Sequence, residues 1–377
     1  MTEKPKVFFT SNVFTPDEIG TKEKINQDLR DSIKNLWYQL EQIADIEVFP
    51  GRFPNVTQIQ TYVDNFNPTI IGCHLSHPIP ANLLEDTNLI AVCTATVGYN
   101  HIECSSNNEV LITHTPGVLH EAVADYTIAL IMSNLRDIID LHNYVWNGNW
   151  TLSDKWDMDQ NLSRSLKNQI LGIVGLGEIG SEIAKKLDYF GVKILYYDIQ
   201  RREKQENSLP HLEYASNLKS LFKRADIISL HIPLNNKTEN LIDHDLLKLM
   251  KNNSLLVNTA RGKILNLNDF LDLLEKREIF VNFAFDVYPQ EPIDKKTLKR
   301  IKAIKRSQPE IRMALMPHNA SADANTRGKM VILFLEDILK LLQSKSIKDL
   351  KDVHIIPEQK IKLQEINWRI KNYWNQL

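Results

Sequence analysis

The stretch Ile170-Leu171-Gly172-Ile173-Val174-Gly175-Leu176-Gly177-Glu178-Ile179-Gly180 constrains this chain more than any other. An apolar run enters a Gly-x-Gly-x-x-Gly turn, and an amphipathic run leaves it. Eighteen residues past Gly180, Tyr196-Tyr197-Asp198 closes a second apolar run with an acid. Strand, glycine turn, helix, strand and acid in that order form the fingerprint of a dinucleotide-binding unit. Gly175 permits the tight turn, Gly177 lets amides approach a pyrophosphate, and Gly180 lets helix and strand pack closely. The helix N-terminus offers free N–H groups and partial positive charge to phosphates. Asp198 can accept both ribose hydroxyls. The chain holds only 13 glycines in 377 residues, yet three fall in these six positions, so the cluster is not a product of composition.

The remainder of the chain reads as alternating strands and helices, which implies right-handed βαβ units and parallel sheets. In the first part, strands are expected at Val7–Thr10, Ile46–Phe49, Thr69–Gly72 and Leu89–Cys93. Apolar steps of three and four predict a helix over Glu23–Ile43. Residues Glu121–Leu135 are so apolar that a helix there should be buried on more than one side. Beyond the strand Ile170–Val174, further strands are expected at Lys193–Tyr197, Ile227–His231, Ser254–Asn258, Phe280–Ala284 and Met313–Met316, a six-stranded doubly wound sheet. A long helix over Asn325–Leu342 would return the chain to the first domain, and an amphipathic terminal helix is expected after Pro357. The expected fold class is therefore α/β: two doubly wound parallel-sheet domains. The nucleotide domain, residues 117–324, is inserted in a domain made of residues 1–116 and 325–377.

Composition narrows the function classes. A net charge of −2 gives no electrostatic footprint for nucleic acid. No apolar run reaches the length of a membrane span. Cys73, Cys93 and Cys104 contain no CxxC pair, so neither a disulfide framework nor a zinc site is expected; they read as small core residues in a reducing cytoplasm. Trp146, Trp150 and Trp156 give an aromatic density typical of interfaces. Seven basic residues fall in the twelve positions 295–306. They read first as a solvated helix face and second as a contact for an acidic partner or a multiply charged substrate.

Four further segments sit where strands should end: His231-Ile232-Pro233-Leu234 with Thr238, Asn258-Thr259-Ala260-Arg261-Gly262, Asp286-Val287-Tyr288-Pro289-Gln290-Glu291-Pro292, and Pro317-His318-Asn319-Ala320. Ligands on open α/β sheets bind beyond the carboxyl ends of strands, so an arginine, a carboxylate and a histidine would meet near a nicotinamide. Hydride addition to a ketone places negative charge on oxygen, which a guanidinium and a protonated imidazole stabilise. A carboxylate beside an imidazole favours the charged ring, the form that can donate a proton.

With those segments in place, the chain resembles the D-isomer-specific 2-hydroxyacid dehydrogenase family, from about Val7 to about Pro357 and most densely between Leu89 and Ala320. The resemblance implies a Rossmann NAD-binding domain inserted in a flavodoxin-like substrate domain, and reduction of a small 2-oxo acid to the (R)-2-hydroxy acid, or the reverse. It implies that Arg261 grips the substrate, that His318 is the acid/base and that Glu291 is its carboxylate partner. Val97 and Gly98 match the loop whose amides bind the substrate carboxylate. On the cofactor side it implies Gly175, Gly177, Glu178, Ile179, Gly180, Asp198, His231, Pro233, Thr238, Thr259 and Ala260, with Asp286 on the nicotinamide amide; no metal is implied. Asp198 favours NAD over NADP by repelling a 2′-phosphate, a preference that Arg201 and Arg202 could soften.

Formate-oxidising members carry glutamine at the position of Glu291, which argues against formate. Thr115-Pro116-Gly117-Val118-Leu119-His120 is similar to the glyoxylate and hydroxypyruvate reductases, but His120 replaces a hydroxyl residue. Ser76-His77, Tyr99 and Leu119-His120 are candidate walls of the substrate pocket. His101, His114 and His120 read as ordinary loop or core histidines. A homodimer through the Ala122–Trp156 region is also implied. A second class of function stands beside the enzyme: an NAD-sensing interaction protein similar to the C-terminal binding protein corepressors, although the long Pro/Ser-rich tail of that class is missing from this sequence. Phosphite oxidation on the same site is a minor third.

Overall fold

The computed structural model describes residues 3–85, 87–103, 109–155 and 157–376, so Cys104 and Trp156 lie outside the described residues. The chain divides into two compact units, Met1–Leu119 with Asp323–Leu377, and His120–Ala322. These junctions differ by two or three residues from the expected 116/117 and 324/325.

The first unit is built on strands β1 (Lys6–Phe9), β2 (Asp45–Val48), β3 (Ile70–Cys73), β4 (Ala91–Thr94) and β5 (Leu111–Thr113). They pair in parallel in the order β2-β1-β3-β4-β5, the flavodoxin-like order. The central strands are mostly apolar because helices cover both faces of the sheet, as parallel sheets require. One face packs Phe9, Trp37, Leu40, Phe334 and Ile338; the other packs Phe8, Ile59, Ile71, Val92 and Ile112. The helix Ala324–Gln343 packs on the helix Gln27–Ile43 in the first of these layers. The latter begins four residues later than the apolar pattern indicates. Ile25 is buried from the preceding turn, and so extends the periodicity upstream without being helical.

The second unit carries β6 (Ile170–Val174), β7 (Lys193–Tyr197), β8 (Leu212–Tyr214), β9 (Ile227–Leu230), β10 (Leu255–Asn258), β11 (Asn282–Phe285) and β12 (Met313–Leu315). The order β12-β11-β10-β9-β6-β7-β8 is all parallel, a Rossmann arrangement with one added edge strand. The strand order reverses between β6 and β9, so the carboxyl ends of these two strands form the crevice where such sheets take ligands. The expectation of six strands is corrected to seven. The missing one, β8, is the edge strand Leu212-Glu213-Tyr214, whose central glutamate leaves no apolar run to read.

Two other expectations need correction. The tail after Pro357 is not one helix but two short ones, Pro357–Lys360 and Ile370–Trp374, with Leu363, Trp368 and Ile370 buried and Ile361 exposed. The helix His120–Leu135 buries one stripe, Val123, Ala124, Thr127, Leu130, Ile131, Asn134 and Leu135, against the helix Glu178–Asp188 and the strands β10, β11 and β12. Ala129 on its other side is exposed, and Ile128 and Met132 are half-buried. The basic run forms the helix Lys295–Ser307 with Ile301 and Ile304 inward. Arg300 pairs with Asp272 and Glu275, and Lys305 with Asp140, while the other basic residues are exposed. Cys73 and Cys93 are buried free thiols. No helix among the described residues is long and apolar enough to cross a membrane.

Candidate functional site

The glycine turn after β6 explains itself sterically. Gly175 has φ +94°, and a Cβ there would lie 2.5 Å from the His231 carbonyl oxygen; at Gly180 it would lie 2.1 Å from the Gly175 oxygen. Both positions therefore admit no side chain. At Gly177 a Cβ would meet nothing within 4 Å, so that glycine leaves an open approach instead of a tight contact. The helix Glu178–Asp188 starts here, with Gly177 and Glu178 exposed and Ile179 half-buried. Within the described residues the amides of Gly177, Glu178 and Ile179 have no acceptor in the chain. An open floor, free amides and a helix N-terminus fit a pyrophosphate.

Asp198 ends β7 beside this turn. Its Oδ2 accepts the Leu176 amide at 2.9 Å and its Oδ1 the Gln200 amide at 3.1 Å. The carboxylate is thus fixed in orientation with lone pairs to spare for hydroxyl donors. Arg202 stands 3.7 Å from Asp198 Oδ2, whereas Arg201 is engaged by both oxygens of Glu206.

At the end of β9, His231 Nε2 lies 2.7 Å from Ser229 Oγ. Burial pushes its imidazole down to about 3. Thr238 staples the following loop: its hydroxyl donates to the Pro233 carbonyl at 2.6 Å and accepts the Asn235 amide at 2.8 Å.

After β10 the side chain of Asn258 shapes the turn. Its oxygen accepts the Ala260 amide at 3.1 Å and its nitrogen donates to the Arg261 carbonyl at 3.0 Å. Such local Asn bonds replace the backbone ladder where a strand must stop. Thr259 donates to Thr127, whose own hydroxyl is given to the Val123 carbonyl. Arg261 Nη1 donates to the Ala260 carbonyl at 2.7 Å. Burial lowers the Arg261 guanidinium and the Glu291 charge opposes that; an arginine side chain keeps its charge in proteins. Gly262 follows because nothing larger fits: a Cβ there would lie 1.9 Å from the Tyr288 carbonyl carbon. That close approach sets Arg261 against the segment that carries Glu291.

Glu291 Oε1 accepts the Tyr288 amide at 2.9 Å, and Oε2 lies 2.5 Å from His318 Nδ1. Burial alone would raise the Glu291 carboxyl. The His318 hydrogen bond, the Tyr288 amide and the charges of His318 and Arg261 outweigh it and leave the group below its ordinary range. The two side chains are 25% and 31% exposed, open enough to be reached by a ligand.

His318 has φ +54°, in the left-handed region that is costly for any residue with a Cβ. Asp286, fully buried, holds it there. Its main-chain oxygen accepts the His318 amide at 2.8 Å, Oδ1 the Asn319 amide at 2.7 Å and Oδ2 the Ala320 amide at 2.8 Å. A contact of Asp286 with a nicotinamide amide would have to share oxygens already committed to this turn.

Arg261, Glu291 and His318 are thus gathered in the second unit, with the glycine turn, Asp198, His231, Pro233, Thr238, Thr259, Ala260 and Asp286. Val97 and Gly98 belong to the first unit, after β4. Of the candidate pocket walls there, His77 is corrected. It is fully buried, with Nδ1 2.6 Å from Thr10 Oγ1 and Nε2 2.7 Å from the Arg52 carbonyl, so it ties together the segments that follow β1 and β2 and presents no wall. Tyr99 donates its hydroxyl to Glu358. Leu119 and His120 flank the unit junction. The sequence marks the segment Asn258–Gly262 but not the turn-shaping role of Asn258, the close approach at Gly262, the contact of Thr127 or the clamp role of Asp286; Asx-turn chemistry at Asn258 is the one signal available for them.

Comparison with known proteins gives a consistent picture. Residues 128–320 match the family model described as D-isomer specific 2-hydroxyacid dehydrogenase, NAD binding domain. A glyoxylate reductase of Thermofilum pendens is 33% identical over 299 residues, 77% of this chain and 84% of that protein. The crystal structure of D-lactate dehydrogenase from Aquifex aeolicus, complexed with NAD and lactic acid, aligns with a TM-score of 0.74 at 22% identity, over 93% of this chain and 98% of that one. An NADPH-dependent glyoxylate/hydroxypyruvate reductase from Sinorhizobium meliloti, in complex with NADP and malonate, gives 0.73 at 22%, over 95% and 98%. At these identities the two structures speak for the fold.

Proposed function

The chain belongs to the D-isomer-specific 2-hydroxyacid dehydrogenase family of oxidoreductases, and from that premise we propose that it reduces glyoxylate, hydroxypyruvate or a similarly small 2-oxo acid with NADH. The observation that carries this reading is the hydrogen-bonded His318–Glu291 pair beside the half-buried Arg261 cation, in the unit that holds the glycine turn.

A bound dihydronicotinamide supplies the hydride. Arg261 binds the substrate carboxylate and stabilises negative charge developing on the keto oxygen, where a desolvated guanidinium acts most strongly. His318 Nδ1 is committed to Glu291, so Nε2 is the nitrogen that hands a proton to that oxygen. Glu291 fixes the ring and supports the imidazolium before transfer. The Val97 and Gly98 amides are assigned to the substrate carboxylate.

NAD is favoured over NADP by the oriented Asp198 carboxylate and by Arg201 being taken up by Glu206. A glutamate at position 291 disfavours formate. The similarity to a glyoxylate reductase supports the enzyme, and nothing in these relatives supports the corepressor-like alternative.

We place the protein in the cytoplasm, where its buried free thiols would persist. We also propose a homodimer. Ile138, Val145, Trp146 and Trp150 are exposed in the segment following the helix His120–Leu135, and a second copy of the same surface would cover them. Light scattering on the eluted protein tests the dimer. The enzyme is tested by NADH oxidation against glyoxylate, hydroxypyruvate, pyruvate and branched or aromatic 2-oxo acids; silence with all of them would defeat the reading.

A further inference from the structure

In the first unit, the run Thr96-Val97-Gly98 has all three carbonyls held. The Thr115 amide donates to the Thr96 carbonyl at 3.0 Å. His114 Nδ1 donates to the Val97 carbonyl at 2.9 Å, and Thr96 Oγ1 donates to the Gly98 carbonyl at 2.8 Å. A carbonyl can only accept, so the proton of the His114 ring is on Nδ1 in this contact.

The last of these bonds ends a directional chain. Because the Thr96 hydroxyl gives its proton to Gly98, its oxygen accepts from Thr94 Oγ1 at 2.8 Å. The Thr94 oxygen in turn accepts from His101 Nε2 at 3.0 Å. Hydrogen bonds aligned in this way polarise one another.

The amides of the same run behave differently. Among the described residues, neither the Val97 nor the Gly98 N–H has an acceptor in the chain. In a trans peptide, N–H and C=O point to opposite sides of one rigid plane. Holding the Thr96 oxygen therefore aims the Val97 N–H, and holding the Val97 oxygen aims the Gly98 N–H. Two successive amides without internal acceptors suit an anion.

We propose that His114 is a positioning residue for substrate binding: its Nδ1–H, locked on the Val97 carbonyl, keeps the Gly98 amide turned toward the substrate carboxylate. The ring is itself braced. Its main-chain amide donates to the His354 carbonyl at 3.0 Å, and its plane stands edge-on to Tyr99, 5.6 Å between centroids. The inference rests on the reading of Val97 and Gly98 as carboxylate binders. It adds to that reading a residue that never touches the substrate.

The test compares wild type, His114→Ala and His114→Asn in full-length protein, with KM and kcat for glyoxylate, inhibition by oxamate, and NADH affinity by fluorescence. In H114A the KM for glyoxylate and the inhibition constant for oxamate rise about 5- to 10-fold, the loss expected for one hydrogen bond. Its kcat and NADH affinity stay within about twofold. H114N, whose side-chain amide can still donate, recovers most of the loss. Unchanged KM and oxamate inhibition in H114A would overturn the inference, and so would an equal loss in kcat and NADH affinity that asparagine does not restore. A wild-type protein inactive on every 2-oxo acid would instead defeat the proposed function, and this inference with it.

Discussion

His318 and Glu291, 27 positions apart in sequence, are joined by a 2.5 Å contact between Nδ1 and Oε2. Both groups are placed by backbone devices. Glu291 is tethered by the Tyr288 amide, and His318 is held at φ +54° by Asp286. The pair is therefore set by the fold before any ligand arrives, which is the condition for electrostatic preorganisation.

Glu291→Gln keeps a side chain able to bond the ring but removes its charge. The turnover number for 2-oxo acid reduction should fall roughly 10- to 100-fold, part of what general acid catalysis contributes, with KM much less affected. Steady-state kinetics check this. A loss confined to KM would show that Glu291 serves binding instead.

Gly262→Ala would force a methyl group into the Tyr288 backbone, 1.9 Å from its carbonyl carbon. Backbone must move, at about 1–3 kcal/mol of stability. The displaced Glu291 segment should lower kcat by as much as ~100-fold. A thermal melt with parallel kinetics would reveal it, and wild-type values in both would show that the close approach is not needed.

Asp198→Ala should weaken NADH binding by at least ~10-fold, the scale of a hydrogen bond to a charged group, and narrow the preference over NADPH. The Leu176 amide loses its acceptor in the same variant, so the ratio of the two affinities is the telling quantity. An unchanged ratio would remove Asp198 from the ribose.

Acid should destabilise the second unit through His231. Burial holds its imidazole at about 3, below the ordinary 6.5, so the folded state prefers the neutral ring. The resulting stability is complete above pH 6.5 and is lost as pH falls from there toward 3. Asp337 acts in the opposite sense in the first unit. Burial raises its carboxyl from 3.8 to about 6, so its contribution is present below pH 3.8 and lost as pH rises through about 6. Urea midpoints measured from pH 7 down to 4.5 should fall, and His231→Gln should flatten the decline; an equally steep decline in the variant would contradict it.

Much of the architecture could be read from residue pattern. Buried parallel strands such as Ile70–Cys73 and Ile170–Val174 are continuous apolar runs, and the glycine turn declares both a strand end and a helix start. Strand β8, Leu212-Glu213-Tyr214, is not legible because its central glutamate interrupts any apolar run, whereas β5 goes unread although Val110-Leu111-Ile112 is apolar. Arg261, Glu291 and His318 were found because each stands in a segment where a strand ends. The residues that hold them were not. Asp286 bonds amides 33 and 34 positions away, and Gly262 is defined by a neighbour 26 positions on. In sequence His114 reads as an ordinary loop or core histidine, and only the orientation of the Val97 peptide reveals its use.

The central claim is that the His318 imidazole is the proton donor in hydride transfer, and a single-turnover experiment tests it most directly. His318→Asn, saturated with NADH and mixed with glyoxylate or hydroxypyruvate, is compared with wild type by the loss of NADH absorbance. NADH affinity is measured separately by fluorescence. The expected result is a transfer rate about 10²- to 10⁴-fold slower with NADH affinity within about twofold of wild type. A transfer rate close to wild type, or equal losses in rate and cofactor affinity, would contradict it.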